Sequence, residues 1–181
     1  MADRSKYKPE GEIKPYPVLT TAATILLKDI ARRKSVFEFG SGGSTLWFAG
    51  FVRKLVSIED DQDWYAVISE ALAALERPNT EVRFAPTKIQ PDAITDTGFY
   101  DVVFVDCLRQ NERRRSVILG AKHVKPGGWL VADDYTFPMT HKEVERLRAK
   151  GWDVAVVSGT KTHPVRRVTV KTSTAFCRKN G

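Results

Sequence analysis

A chain of 181 residues, 42% hydrophobic and 28% charged, has the makeup of one soluble domain with a single sizeable core. Its 29 Lys and Arg against 22 Asp and Glu leave a net charge of +7, which favours an anionic partner without selecting one. No apolar run approaches the roughly 20 residues of a membrane span. The start, Met1 to Lys6, lacks the apolar stretch of a secretory signal, and Cys107 and Cys177 form no disulfide framework, so a cytoplasmic location is expected.

Residues 1–19 are polar and punctuated by Pro9, Pro15 and Pro17, and read as an extended arm ahead of one domain over 20–181. From about Thr20 to Arg33, Ala23, Leu26, Leu27 and Ile30 share one stripe of a helix. A helix in that place either lies over a ligand as a lid or covers the sheet edge, and both remain open. The run Val36-Phe37-Glu38-Phe39 then ends in Gly40-Ser41-Gly42-Gly43, and Ser44 or Thr45 caps a short helix carrying Leu46, Trp47 and Phe48. Strand, glycine turn and helix in that order bring a nucleotide-like ligand against bare backbone. Glu38 is the odd residue of the strand. Burying an unpaired charge is expensive, so Glu38 is expected to face a cleft and meet a cation or a water.

A second strand, Lys54-Leu55-Val56-Ser57-Ile58-Glu59, ends nineteen residues after Gly40. Glu59 stands where a carboxylate accepts hydrogen bonds from two ribose hydroxyls. Asp60 and Trp64 are weaker candidates for the same ligand. Trp64 is better read as core, because it opens the helical stripe of Val67, Ile68, Ala71, Leu72 and Leu75, which Pro78 stops. A third strand covers 81–85, and a polar segment over 86–98 holds a weak helical turn. The fourth, 99–106, is apolar on both faces and fits a central parallel strand.

A helix from about Glu112 to His123 carries Arg113-Arg114-Arg115 in its first turns, a solvated face in preference to a substrate clamp, and Lys125-Pro126-Gly127-Gly128 ends it. The fifth strand, 129–134, closes on Asp133-Asp134. Thr140-His141-Lys142-Glu143 reads as a capping box for a helix that stops at Gly151, with His141 on its surface. The last strands, 152–158 and about 169–177, flank a basic loop containing Lys161, His163, Arg166, Arg167 and Lys171. That loop is either a contact for an anionic acceptor or a solvated hairpin.

Five rounds of strand and helix followed by two consecutive strands predict an α/β fold, a doubly wound seven-strand sheet. It is mostly parallel, with an antiparallel C-terminal hairpin at one edge. Ligands of such a sheet lie beyond the carboxyl ends of its strands, where Glu38, Glu59, Asp106 and Asp133-Asp134 fall.

Thr45 stands where a dinucleotide fingerprint has its third glycine. The resulting acidic-x-Gly-x-Gly turn, with Glu59 and the terminal strand pair, resembles the class I S-adenosylmethionine-dependent methyltransferases from about residue 20 to the end. The resemblance implies an enzyme with that cofactor. Backbone amides of Phe39, Gly40, Ser41, Gly42 and Gly43 would approach its methionyl portion and Glu59 its ribose, with Glu38, Ser44, Thr45, Asp60 and Asp106 also among the cofactor-binding residues.

Val105-Asp106-Cys107 and Ala132-Asp133-Asp134-Tyr135 further resemble the metal-dependent O-methyltransferases of the catechol and macrocin types. This implies Asp106, Asp133 and Asp134 as catalytic residues and as ligands of a magnesium ion that acidifies an acceptor hydroxyl. A metal-free carboxylate acting as base stays open. The expected acceptor is a small or sugar-like molecule, with an anionic one suiting the net charge. A nucleic-acid methyltransferase is the disfavoured alternative, because Asp106-Cys107-Leu108-Arg109 is not the Asn/Asp-Pro-Pro-aromatic motif and no Pro-Cys occurs. A non-catalytic cofactor-binding subunit is a third reading. The oligomeric state is open, a homodimer included.

Overall fold

The computed structural model describes residues 13–86, 90–107, 109–162 and 168–181. In chain order the elements are α1 (Thr21–Ala31), β1 (Ser35–Phe39), α2 (Gly43–Ala49), β2 (Lys54–Glu59), α3 (Gln62–Ala73), β3 (Thr80–Phe84) and a 3-10 turn (Gln90–Ile94). Then come β4 (Tyr100–Val105), α4 (Gln110–His123), β5 (Val124–Ala132), α5 (Pro138–Ala149), β6 (Asp153–Thr162) and β7 (Thr169–Arg178). The sheet order is β3-β2-β1-β4-β5-β7-β6, with β7 antiparallel to both β5 and β6 and the other pairings parallel. This is the doubly wound sheet and edge hairpin expected from the alternation of elements.

Side chains alternate across the strands, so each face collects its own core. Phe37, Phe39, Val56, Ile58, Val103, Val105 and Leu130 pack on the face covered by Val117 and Ala121 of α4 and Val144 and Leu147 of α5. Val36, Leu55, Val102, Phe104, Val131 and Phe176 pack against Ala23, Leu27 and Ala31 of α1 and Phe48 of α2. The first helix is therefore a cover for the sheet. Its N-cap Thr20 accepts from Ala23 N, and Gly159 of β6 runs so close that a Cβ there would lie 3.2 Å from Thr20 Cβ.

Three local readings change. The capping box at Thr140 does not form: Phe137 is the N-cap of α5, Pro138 fills its first turn, and Glu143 is buried against Arg114 and Arg146. In α3 only Ile68 and Leu72 are buried, while Val67 and, past the helix end, Leu75 are exposed. The last two strands are longer than their apolar pattern, because β6 and β7 stay paired from Asp153↔Arg178 out to Thr162↔Thr169. Since β5 pairs with β7 only from Trp129↔Arg178 to Ala132↔Ala175, the hairpin continues past the carboxyl ends of the parallel strands as a two-stranded arm. His163, Arg166 and Arg167, and residues 1–12 of the proposed arm, lie outside the described residues.

Candidate functional site

The turn after β1 is held by contacts that demand glycine at two of its positions. Gly40 has φ +90, and a Cβ there would sit 2.7 Å from the Asp106 carbonyl oxygen, so only glycine lets the end of β4 pass. A Cβ at Gly43 would lie 2.5 Å from the Lys14 oxygen and 2.6 Å from the Tyr16 oxygen, because the segment ahead of α1 crosses the turn. Gly42 differs. Its backbone is extended, and an added Cβ would meet nothing within 4 Å.

Glu38 does not face the cleft, which corrects the expectation. It is fully buried on the α1–α2 side of β1 and has no cationic partner among the described residues. Its carboxylate accepts from three hydroxyls: Ser44 Oγ at 2.5 Å, Thr45 Oγ1 at 2.6 Å and Ser57 Oγ at 2.7 Å. The register puts Ser57 directly beside Glu38, and α2 supplies the other two. Burial pushes the Glu38 carboxyl up to about 7 even though the three hydroxyls work the other way. Thr45 Oγ1 also accepts from Gly42 N at 2.9 Å, so the buried acid fixes the glycine turn from below.

Glu59 fixes the same turn from the side. Its Oε2 accepts from Ser41 N at 3.0 Å and Ser41 Oγ at 2.8 Å, and its Oε1 from Asp60 N and Asp61 N. Trp64, half-buried and not core as its position in the stripe indicated, donates its indole N–H to the Ser41 oxygen at 2.9 Å. Asp61 caps α3 by accepting from Trp64 N.

Asp106 and Asp133 are carried to adjacent strand ends by the Val105↔Ala132 pairing, and Asp134 follows with φ 50. Carboxylate oxygens of all three lie within 4.8 Å of one another. Two cations enter this cluster. Arg113, 3% exposed and not on a solvated face, donates to the Asp133 oxygen at 2.9 Å and to Asp106 Oδ1 at 3.3 Å, and lies 3.5 Å from Asp134 Oδ2. Lys161, placed by β6 rather than by a loop, donates to Asp133 Oδ2 at 2.5 Å and Asp134 Oδ1 at 2.9 Å. Thr174 donates to Asp133 Oδ1 and Thr172 to Asp134 Oδ1.

The three acids are therefore not equivalent. Asp133 is fully buried with both oxygens engaged. Burial alone would raise Asp134, but Arg113 and Lys161 hold it below the usual range. Asp106, 26% exposed, is pushed up to about 7 by burial and by the neighbouring Asp133 charge, against Arg113 and Lys161. Among the described residues its Oδ2 accepts no hydrogen bond, which makes it the open oxygen of the cluster.

The spacing of the three carboxylates suits a hard divalent ion, but the ammonium of Lys161 sits on the oxygens such an ion would use. As arranged, these residues do not fit a bound metal. Arg113 and Lys161 are the site residues that reading by motif missed. Arg113 was legible as part of the α4 stripe it shares with Val117, Gly120 and Ala121. In the sequence Lys161 is only one cation of a basic loop, and nothing local ties it to the aspartates.

Neither a family model nor a curated protein sequence matches this chain. Solved structures match it in fold. An O-methyltransferase from Bacillus cereus in complex with SAH is 16% identical, with a TM-score of 0.73 over 97% of this chain and 86% of that one. TomG, an O-methyltransferase from Streptomyces achromogenes involved in tomaymycin synthesis and solved with SAM, is 19% identical, with a TM-score of 0.66 over 91% and 82%. An rRNA methylase from Streptococcus thermophilus is 12% identical, with a TM-score of 0.63 over 91% and 100%. The chain has the Rossmann-like fold of these proteins, as the glycine turn and terminal hairpin implied.

Proposed function

We propose that this chain is an S-adenosylmethionine-dependent methyltransferase that methylates an oxygen of a small-molecule acceptor, with Asp106 as the base. One observation carries the reading: the turn is rigid at Gly40 and Gly43 yet open at Gly42, and it packs against the backbone of Asp106, whose side chain is part-exposed. Two neighbours of the same fold were solved with SAM or SAH. In this reading the backbone from Phe39 to Gly43 takes the methionyl portion. Glu59 reaches a ribose by exchanging one of the donors that now hold it. The buried amide of Gln90, with neither atom hydrogen-bonded among the described residues, offers a donor and an acceptor for an adenine edge.

Bound there, the cofactor supplies an electrophilic methyl group on a sulfonium. The chain's own work is to align the acceptor oxygen, exclude water and receive the hydroxyl proton at Asp106 Oδ2. The net charge of +7 and the exposed Lys171 suit an anionic acceptor.

Calorimetry with SAM and SAH, followed by transfer of a labelled methyl group to acceptor pools, tests the proposal. Asp106→Asn should keep cofactor binding and lose about a hundredfold or more in kcat. No heat with either compound would reject the reading. The rRNA methylase neighbour and the basic charge favour a second reading, an RNA acceptor. Label appearing in RNA and not in small molecules would replace the first with the second.

A further inference from the structure

We infer that Lys161 is the resident counter-ion of the Asp106–Asp133–Asp134 cluster, standing where a divalent metal would bind, so that these carboxylates take up no Mg2+. The inference deepens the methyltransferase reading, but its test reads cation binding alone, so either can fail without the other.

Two observations carry it. The first is occupancy. Lys161 Nζ touches Asp133 Oδ2 and Asp134 Oδ1, Thr174 takes Asp133 Oδ1, and Arg113 covers Asp106 Oδ1 and Asp134 Oδ2. Magnesium needs carboxylate oxygens at roughly 2.1 Å in near-octahedral array. An ion so placed on Asp133 and Asp134 would coincide with the ammonium or face it at contact range.

The second is delivery. Lys161, Thr172 and Thr174 all come from the arm that β6 and β7 build beyond the end of β5, where Lys161 pairs with Val170 in the ladder. The lysine is 12% exposed and set on paired backbone, so yielding its place to a metal means leaving two charged partners at once. Burial works against its charge, and the three aspartates more than restore it.

Asp106 Oδ2 is then the oxygen left for substrate. A metal-dependent site gains from an acceptor that offers two adjacent oxygens to the ion. A site closed by an ammonium gives a vicinal diol no such advantage, so an isolated hydroxyl is the acceptor group expected.

The probe is Mn2+, followed by electron paramagnetic resonance of the free ion in the presence of the full chain. The unsubstituted protein should leave the signal unchanged up to about millimolar Mn2+. Lys161→Met should bind the ion at least about tenfold more tightly, while Lys161→Arg should match the unsubstituted chain. Binding by the unsubstituted protein at about 0.1 mM or below would overturn the inference. So would a folded Lys161→Met that binds no more tightly. If Lys161→Met does not fold, thermal melting of the unsubstituted chain decides: equal Tm in Mg2+ and in EDTA supports the inference, and a higher Tm in Mg2+ overturns it.

Discussion

Glu38 and the cluster of Asp106, Asp133 and Asp134 stand on neighbouring strands, and both put carboxylates out of water, yet they are balanced by different means. Glu38 is met by three neutral hydroxyls, and the aspartates by an ammonium and a guanidinium. Hydroxyls satisfy lone pairs but cancel no charge, so Glu38 retains a high affinity for a proton. Cations cancel charge and hold Asp134 below its usual range, while Asp106, which meets the guanidinium but not the ammonium, is pushed upward by burial and the Asp133 charge. The first arrangement builds a support for the turn. The second builds a reactive edge.

The comparison breaks most sharply at Arg113. Arg113→Met leaves Asp106 and Asp134 short of a counter-charge, and the chain should lose about 3–5 kcal/mol in denaturant unfolding. A loss below about 1 kcal/mol would mean that Lys161 alone balances the cluster.

Glu38→Gln tests the other side, with the sign set by a raised carboxyl. The folded group has a pKa of about 7 and its ordinary value is 4.5, so its stabilising contribution is whole below pH 4.5 and is lost as pH rises towards 7. Across that window the native chain should lose about 3 kcal/mol relative to Glu38→Gln. Parallel stability–pH curves for the two proteins would show that the hydroxyls suffice to keep Glu38 ionised.

The smallest effect belongs to Gly42→Ala, which separates support from ligand contact. Its Tm should stay within a degree or two of the parent, since the added methyl meets no neighbour. Affinity for SAH should fall about tenfold. Unchanged affinity would move the cofactor away from this turn.

The fold was legible because buried parallel strands are continuous apolar runs and Gly or Pro follows α2, α3 and α5. The glycine turn stood out for the same reason. Helix α4 instead runs directly into β5, which contains the Lys125-Pro126-Gly127-Gly128 segment read as the helix stop. What stayed hidden depends on register and on long loops. Ser57 meets Glu38 only because β1 and β2 pair one-to-one, although a lone polar residue inside each of two buried strands was a usable hint. Arg113 was obscured by two exposed arginine neighbours, which pair with Glu143 and Asp92. Lys161 sits 28 residues from Asp133, and only the overrun of the β6–β7 ladder beyond β5 joins them.

That overrun also imposes an order of assembly. Strand β7 lies between β5 and β6, so β6 has no place on the sheet until the C-terminal strand has been synthesised and has docked. During translation the segment carrying Asp106, Asp133 and Asp134 leaves the ribosome ahead of the lysine that quiets it. The acidic edge therefore meets its ammonium only where β6 and β7 pair beside β5.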